Sequence, residues 1–277
     1  MSQLLRIAIL HPDLGIGGAE RLIVDAALEL QRRGHRVTIF TGSHDPTRAF
    51  EETRDGTLDV RVHGEWLPLH LGGRLRLASA IAKMTVGAFA ILDDADRPDV
   101  VLCDVVPHVI PTFRALRRRL PVLFYCHFPD QLLTPARRGL YRWYRAPFDA
   151  LETTGTAMAT RVMVNSRYTA DVFARTDPGI VAPPGGVYPG ADVGRWSPAD
   201  ASMTQTMTQT MILGFLVAPT ADAFAGALSR LVKDRALANQ MGAAGRSRVV
   251  SQFSRASFGA RLEGLVRDAA IGPMALA

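Results

Sequence analysis

The chain has 277 residues, a formal net charge of +6 at pH 7 and a hydrophobic content of 48%. It is long enough to bury a proper core, as one large α/β domain or as two smaller domains. The basic balance favours an anionic partner such as a phosphate or an acidic lipid. No basic run alternates with aromatic residues in a recognisable nucleic-acid module, so nucleic acid is not an expected partner.

The cysteines give no sign of a metal centre. Cys103 and Cys126 are the two cysteines of the sequence, which predicts reduced thiols in a cytosolic environment. Neither belongs to a CxxC motif or to another metal-ligand spacing, so we expect no metal and no cofactor. Cys126 adjoins His127, but neighbours on a strand point to opposite faces, which argues against a Cys–His nucleophile pair.

The first 41 residues predict a βαβ unit. Residues 5–10 form a short apolar run typical of a buried parallel strand, and residues 11–18 form a glycine-rich loop. Apolar residues at helical spacing follow, with Glu29 and Arg33 predicted as a pair on the solvent-facing side of the helix. A second apolar run at 37–40 predicts the next strand.

The glycine-rich loop has a physical use at this position. Gly15, Gly17 and Gly18 stand before a helix whose first backbone N–H groups have no partner inside the helix. Glycines let an anionic group approach these N–H groups closely, so the loop predicts a phosphate or a sugar diphosphate as ligand. A tight turn with no ligand explains the same glycines equally well.

A nicotinamide cofactor is disfavoured by the same segment. The dinucleotide-binding fingerprint requires G-x-G-x-x-G and an acidic residue at the end of the second strand. The loop reads GIGGAE and lacks the third glycine, and the second strand is followed by Gly42 and Ser43 rather than by a carboxylate.

The rest of the sequence continues the alternation of strands and helices. Further strands are predicted at residues 60–63, 100–104, 121–125 and 161–164, and helices at about 74–92, 107–119, 222–231, 235–251 and 254–268. The strand at 121–125 delivers His127 to the carboxyl edge of the sheet, where open parallel sheets bind ligands.

Four phrases of the sequence resemble one known family. They are HPDLGIGGAER at 11–21, FYCHFPD at 124–130, YRAP at 144–147 and VNS at 164–166. They resemble retaining glycosyltransferases of the two-domain GT-B type in glycosyltransferase family 4. Within that type, they look most like the Alg2 family of dolichol-pathway α-1,3/α-1,6-mannosyltransferases. The resemblance runs almost continuously from Arg6 to Tyr188.

The resemblance implies an α/β fold with a Rossmann-like N-terminal domain on the acceptor side of a GT-B enzyme. It implies transfer of α-1,3- and α-1,6-mannose from GDP-mannose to a dolichol-diphosphate-linked oligosaccharide during assembly of the N-glycan precursor. The expected location is the cytosolic face of the endoplasmic reticulum membrane. Other glycosyltransferases of the pathway are expected as partners.

The resemblance also assigns site residues. A histidine at the place of His127 lies beside the transferred sugar, so His127 is the expected catalytic residue; a loop histidine satisfied by a backbone group is the alternative. Gly15, Gly17, Gly18 and Glu20 are the expected substrate-binding residues.

Two segments suggest a membrane surface. Arginines alternate with aromatic residues near 136–145, which predicts a surface facing lipid headgroups or a pyrophosphate, or else an ordinary solvated helix. Its members are Arg137, Arg138, Arg142, Trp143 and Arg145. The apolar stretch at 75–92 is interrupted by Arg76 and Lys83, which favours a helix on the sheet over one partly buried in lipid.

The resemblance breaks after residue 198. Residues 1–198 are the predicted glycosyltransferase domain, 199–213 a low-complexity junction with a repeated MTQT, and 214–277 a truncated, mainly helical remnant of the donor domain. The family holds its nucleotide sugar with a Glu-x7-Glu pair in the donor domain. Glu263 is the one glutamate after Pro198, so the expected transferase activity of this chain is weak or absent.

Two other functions therefore remain open at this stage. The chain could be a catalytically inactive truncated isoform or gene-model fragment that acts at most as a lipid- or partner-binding domain. It could also be a GT-B transferase for an inositol or another lipid acceptor, although the FYCHFPD and YRAP phrases argue against that.

Overall fold

A six-stranded parallel sheet is the centre of the fold. The computed structural model describes residues 3–68, 76–129, 132, 140–176, 186–194 and 214–272. The strands are β1 (Arg6–His11), β2 (Arg36–Thr41), β3 (Asp59–Val62), β4 (Val100–Asp104), β5 (Val122–Cys126) and β6 (Arg161–Val164). Their order is β3-β2-β1-β4-β5-β6, with every neighbouring pair parallel. This is the doubly wound, Rossmann-like order, so the predicted fold class is confirmed.

Helices connect the strands and close the chain. They are α1 (Gly18–Arg32), α2 (Arg76–Asp93), α3 (Ile110–Leu116), α4 (Leu140–Ala157), α5 (Arg167–Thr176), α6 (Ala221–Lys233), α7 (Arg235–Gln252) and α8 (Arg255–Ile271). The single helix predicted over 107–119 is shorter than expected. A 3₁₀ turn occupies Pro107–Val109, and α3 ends at Leu116 because Arg117 leaves the helical region, with φ −145° and ψ 67°.

The alternation of side chains along the strands builds two different faces of the sheet. Alternate residues such as Leu10, Cys103 and Phe124 are buried in one apolar cluster with Met84 and Ala88 of α2. Neighbouring residues on each strand point to the opposite face. The last residues of β1 and β4 and the first residue after β5 therefore project from the second face.

The chain separates into two compact units. The first comprises the described residues up to Pro189 together with those from Gly259 onward, and the second comprises the described residues from Gly190 to Phe258. The division predicted at residue 198 stays a prediction, and the junction at 199–213 lies outside the described residues. In the second unit, Thr220 caps α6 and Asp234 caps α7 through side-chain hydrogen bonds.

The part of α8 from Gly259 onward belongs to the first unit and packs there against α1 and the residues that follow it. Glu263 Oε1 lies 3.3 Å from His35 Nε2, and Arg267 donates a hydrogen bond of 2.9 Å to the carbonyl of Gln3. Glu29 is only 2% exposed, and a Cβ atom at Gly259 would lie 2.6 Å from the Glu29 Cβ. The solvent-facing position predicted for Glu29 is therefore wrong, because α8 covers that side of α1.

Candidate functional site

Three strand ends bring a histidine, an aspartate and a second histidine together. His11 is the last residue of β1, Asp104 is the last residue of β4, and His127 directly follows β5. Because β1, β4 and β5 are adjacent and parallel, their carboxyl ends meet at one edge of the sheet. Alternation then places the three side chains on the same face.

The Asp104 carboxylate joins the two histidines. Its Oδ2 lies 2.9 Å from His11 Nδ1, and its Oδ1 lies 3.0 Å from His127 Nε2. The first contact is a hydrogen bond, whereas the second is close but lacks the alignment of one. Asp104 is fully buried and His11 is 1% exposed, while the His127 side chain keeps 27% of its surface exposed. His127 is therefore the member of this cluster that a ligand can reach.

Burial and charge act against each other in this cluster. Burial lowers the pKa of His11, but the hydrogen bond to Asp104 and the nearby Glu20 outweigh burial and raise that pKa to about 9. For Asp104, burial raises the pKa, but contacts with His11 and His127 leave it below its ordinary value. At neutral pH the cluster therefore contains an imidazolium at His11 next to a buried carboxylate.

Glu20, in the first turn of α1 directly after the glycine-rich loop, adds a carboxylate to the site. The Glu20 carboxylate lies with Oε1 4.0 Å from His11 Nε2, and the contact with His11 lowers the pKa of Glu20. A Cβ atom at Gly17 would collide with this carboxylate, so glycine at 17 makes room for Glu20. A carboxylate near the first turn of α1 is favourable because the helix N-terminus carries partial positive charge.

The other predicted glycines do not have a comparable contact. A Cβ atom at Gly15 would lie 3.7 Å from the Arg48 carbonyl, and one at Gly18 would meet nothing within 4 Å. Neither residue has a positive φ. The open space beside Gly18, at the start of α1, fits the predicted approach of an anionic group, which stays a prediction.

The backbone directly after Asp104 is strained. Val105 has φ +64°, a left-handed conformation that is unfavourable for a β-branched residue. The Val106 N–H donates a hydrogen bond of 2.7 Å to the Asp104 carbonyl and closes this tight turn. Strained backbone of this kind occurs at functional sites, where surrounding structure maintains it.

Neighbouring residues hold His127 in place. The Asn165 side chain donates a hydrogen bond of 2.9 Å to the His127 carbonyl, and the Tyr125 ring meets the His127 ring edge-on at 5.1 Å between centroids. Tyr125 is anchored in turn by its hydroxyl, which donates 2.7 Å to the Val187 carbonyl. The predicted catalytic residue therefore has a fixed backbone and a partly exposed ring.

Only part of the predicted basic and aromatic surface lies within the described residues. Arg137 and Arg138 lie outside the described residues, and Arg142 lies in α4 with its side chain undescribed. Trp143 is 80% exposed, as expected for a surface residue. The surface position predicted for Arg145 is not observed. Arg145 is 5% exposed and pairs with Asp149, one turn further along α4, at 3.2 Å. Arg145 therefore does not belong to an exposed surface.

Two residues of the site were missed by sequence reasoning. His11 and Asp104 are 93 positions apart, and neither belongs to a motif that pairs them. The available signal was positional, because each is a polar residue at the end of a buried strand, as His127 is. Among the described residues no group of His, Cys, Asp and Glu could hold a metal ion.

A family model described as Glycosyltransferase Family 4 matches residues 16–193, which is more than half of the chain. The chain belongs to glycosyltransferase family 4. The matched residues include α1, β4, β5 and β6, and therefore Glu20, Asp104 and His127. The family predicted from the four sequence phrases is confirmed.

Curated relatives agree with this assignment. The chain is 43% identical over 189 residues to "Alpha-1,3/1,6-mannosyltransferase ALG2" of Rhizomucor pusillus, covering 68% of the chain and 41% of the relative. It is 51% identical over 173 residues to the protein of the same name in Homo sapiens, covering 61% and 41%. The chain thus spans about two fifths of the length of these relatives.

A solved structure shows the shared fold. Sucrose-phosphate synthase from Thermosynechococcus elongatus superimposes with a TM-score of 0.66 at 15% identity, covering 95% of this chain and 98% of that one. At this identity the likeness concerns the fold alone. None of the helices in the described segments combines the length and apolar character that crossing a bilayer requires.

Proposed function

We propose that this chain takes part in mannosyl transfer from GDP-mannose to a dolichol-diphosphate-linked oligosaccharide, forming α-1,3 and α-1,6 linkages. The observation that carries the proposal is the 43–51% identity to named mannosyltransferases over the unit that contains the His11–Asp104–His127 cluster. The corresponding location is the cytosolic face of the endoplasmic reticulum membrane, and other glycosyltransferases of the pathway are proposed partners.

In this proposal His127 contacts the sugar at the reacting centre. Asp104 at 3.0 Å from Nε2 favours the proton on that nitrogen, which leaves Nδ1 able to accept a hydrogen bond from a sugar hydroxyl. The buried His11 imidazolium balances the Asp104 charge, so Asp104 orients His127 without an excess of negative charge next to the ligand. His127 is the proposed catalytic residue, and Asp104 and His11 are positioning residues.

The glycine-rich loop is proposed to face the phosphate-bearing part of a substrate. Gly15, Gly17 and Gly18 lead into the N-terminus of α1, and Glu20 fixes the loop against His11. Exposed Trp143 on α4 is proposed to contact the headgroup region of the membrane, because an indole ring combines apolar surface with a polar N–H group.

The test combines transfer and acceptor binding. The purified chain is incubated with radiolabelled GDP-mannose and a synthetic phytanyl-diphosphate oligosaccharide, and binding of the same acceptor is measured by calorimetry. We expect His127→Ala to lower transfer about 100-fold, the range for losing a positioned acid–base group. His44→Ala, which removes a histidine bonded to Thr53 at 3.0 Å, is the matched control.

The two measurements separate the competing functions. Transfer that depends on His127 and not on His44 supports the proposal. Acceptor binding without transfer would instead favour a non-catalytic lipid-binding domain. Absence of both from the folded chain would overturn the proposal.

A further inference from the structure

Lys83 is a buried cation that the proposed chemistry has not used. It lies in α2, is 3% exposed, and donates a hydrogen bond of 3.1 Å from Nζ to the Gly42 carbonyl. Gly42 directly follows β2, so the lysine side chain reaches the carboxyl edge of the sheet. The sequence contains 32 lysines and arginines, of which only Lys83 and Lys233 are lysines.

The lysine lies at the base of the glycine-rich loop. A Cβ atom at Gly42 would lie 2.6 Å from the Lys83 Cβ and 2.9 Å from the Pro12 carbonyl oxygen, so three chain segments meet there. The Leu14 N–H donates 2.9 Å to the Ser43 carbonyl and ties the loop to the same place. Because Pro12 follows His11, Lys83 lies at the base of the glycine-rich loop, which leads into α1 and its first-turn residue Glu20.

The charge of Lys83 is not balanced by the described residues. None of their carboxylates lies within ion-pair distance of its ammonium group, whose one described hydrogen-bond partner is the neutral Gly42 carbonyl. Other buried charges in the same unit are paired: Asp25 with Arg21, Glu29 with Arg32 and Arg145 with Asp149. A buried charge is costly without a counter-charge, and an ammonium group has three N–H donors.

We propose that Lys83 binds a diphosphate group at the base of the glycine-rich loop. A lysine ammonium is a compact point charge suited to phosphate oxygens. The backbone N–H groups at the start of α1, where the same loop ends, are further donors for an anionic group. The inference rests on the proposed function, because both substrates proposed there carry a diphosphate: the lipid of the acceptor and the nucleotide of the donor.

The lysine content of the chain allows a direct test. In the full chain labelled with lysine carrying ¹³C at Cε, NMR shows two side-chain signals, which Lys83→Arg and Lys233→Arg variants assign. We expect sodium pyrophosphate to shift the Lys83 signal in a saturable manner and to leave the Lys233 signal unchanged. Sodium chloride at equal ionic strength is the control for screening.

Variants measure the contribution of the charge. Calorimetry should show at least a tenfold loss of pyrophosphate affinity in Lys83→Met, a smaller loss in Lys83→Arg, and no change in Lys233→Met. Lys83→Met keeps the length of the apolar stem, and its circular dichroism spectrum and melting curve verify that it is folded. A folded Lys83→Met protein with unchanged affinity, or lysine signals that move equally, would overturn the inference.

Two further ligands identify the source of the diphosphate. Farnesyl diphosphate represents the lipid acceptor and GDP represents the nucleotide, and a Lys83-dependent shift with either one supports a diphosphate site. The result is separate from the proposed transfer reaction. If His127→Ala abolishes transfer but pyrophosphate does not bind at Lys83, only the inference about Lys83 is rejected. If pyrophosphate binding depends on Lys83 in a chain that shows no transfer, only the proposed transfer function is rejected.

Discussion

Asp104 Oδ2 lies 2.9 Å from His11 Nδ1 at the junction of two neighbouring strands, and both side chains are almost completely buried. The opposite oxygen of the same carboxylate faces His127 at 3.0 Å. The hydrogen bond from this buried carboxylate orients the His11 ring and favours its charged form. The cluster therefore has properties that can be measured without a substrate.

Replacing Asp104 by asparagine should change the protonation of His11. The carboxylate helps to raise the pKa of His11 to about 9, whereas burial opposes the charged ring. In Asp104→Asn the pKa of His11 should fall below about 9, as measured by NMR titration of the histidine ring protons. A pKa of His11 that stays near 9 would contradict this account of the charge.

The same shift predicts how stability depends on pH. His11 has a higher pKa in the folded chain than the ordinary value of 6.5, so its contribution is complete below pH 6.5 and is lost as pH rises through about 9. The shift corresponds to roughly 3 kcal/mol of unfolding free energy. Urea unfolding at pH 6, 7, 8 and 9 should show this decline.

The matched variant for the pH experiment is His11→Gln, which keeps a polar side chain without a titrating ring. Its stability should be lower at pH 6 and should change much less between pH 6.5 and 9. Equal slopes for the two proteins in this window would show that other groups cause the decline.

The sequence predicted the strands better than the site they build. Parallel strands appear as apolar runs, and the position of His127 after β5 follows from local pattern. The contact between His11 and Asp104 depends on β1 and β4 becoming neighbours, which is a property of strand order rather than of either segment. Likewise, Arg145 is only two residues from exposed Trp143 in sequence, yet its burial depends on tertiary packing.

Replacing Val105 by glycine should stabilise the folded chain. Its φ of +64° costs an L-residue with a Cβ atom of the order of 1–2 kcal/mol, and glycine avoids this cost. The side chain is 42% exposed, so little packing is lost. Glycine also gives the unfolded chain more conformational freedom, which offsets part of this gain, so we expect Val105→Gly to raise the free energy of unfolding by up to about 1 kcal/mol in urea titrations.

Val105→Ala is the comparison for this prediction, because alanine keeps the Cβ atom and hence most of the strain. It should leave the stability within about 0.5 kcal/mol of the unmodified chain. If glycine destabilises the protein as much as alanine or more, the turn after Asp104 is not strained in solution.

The close contact between α8 and α1 gives a prediction with its control on the same helix. A Cβ atom at Gly259 would lie 2.6 Å from Cβ and 2.8 Å from Oε2 of buried Glu29. Gly259→Ala should therefore push the helices apart or displace the Glu29 carboxylate from Arg32, at a cost of about 1–3 kcal/mol. At Gly264 a Cβ atom would meet nothing within 4 Å, so Gly264→Ala should stabilise by about 0.5–1 kcal/mol through helix propensity.

Opposite signs for the two substitutions in urea unfolding would establish that α8 docks tightly on α1 through its Gly259 side. Stabilisation by both would show that α8 behaves as a free helix, because only helix propensity would then act. The distinction concerns function as well as stability. Docked α8 covers Glu29 in the middle of α1, and the first turn of that helix carries Glu20 beside His11. We therefore expect Gly259→Ala, but not Gly264→Ala, to alter the NMR titration of His11 as well.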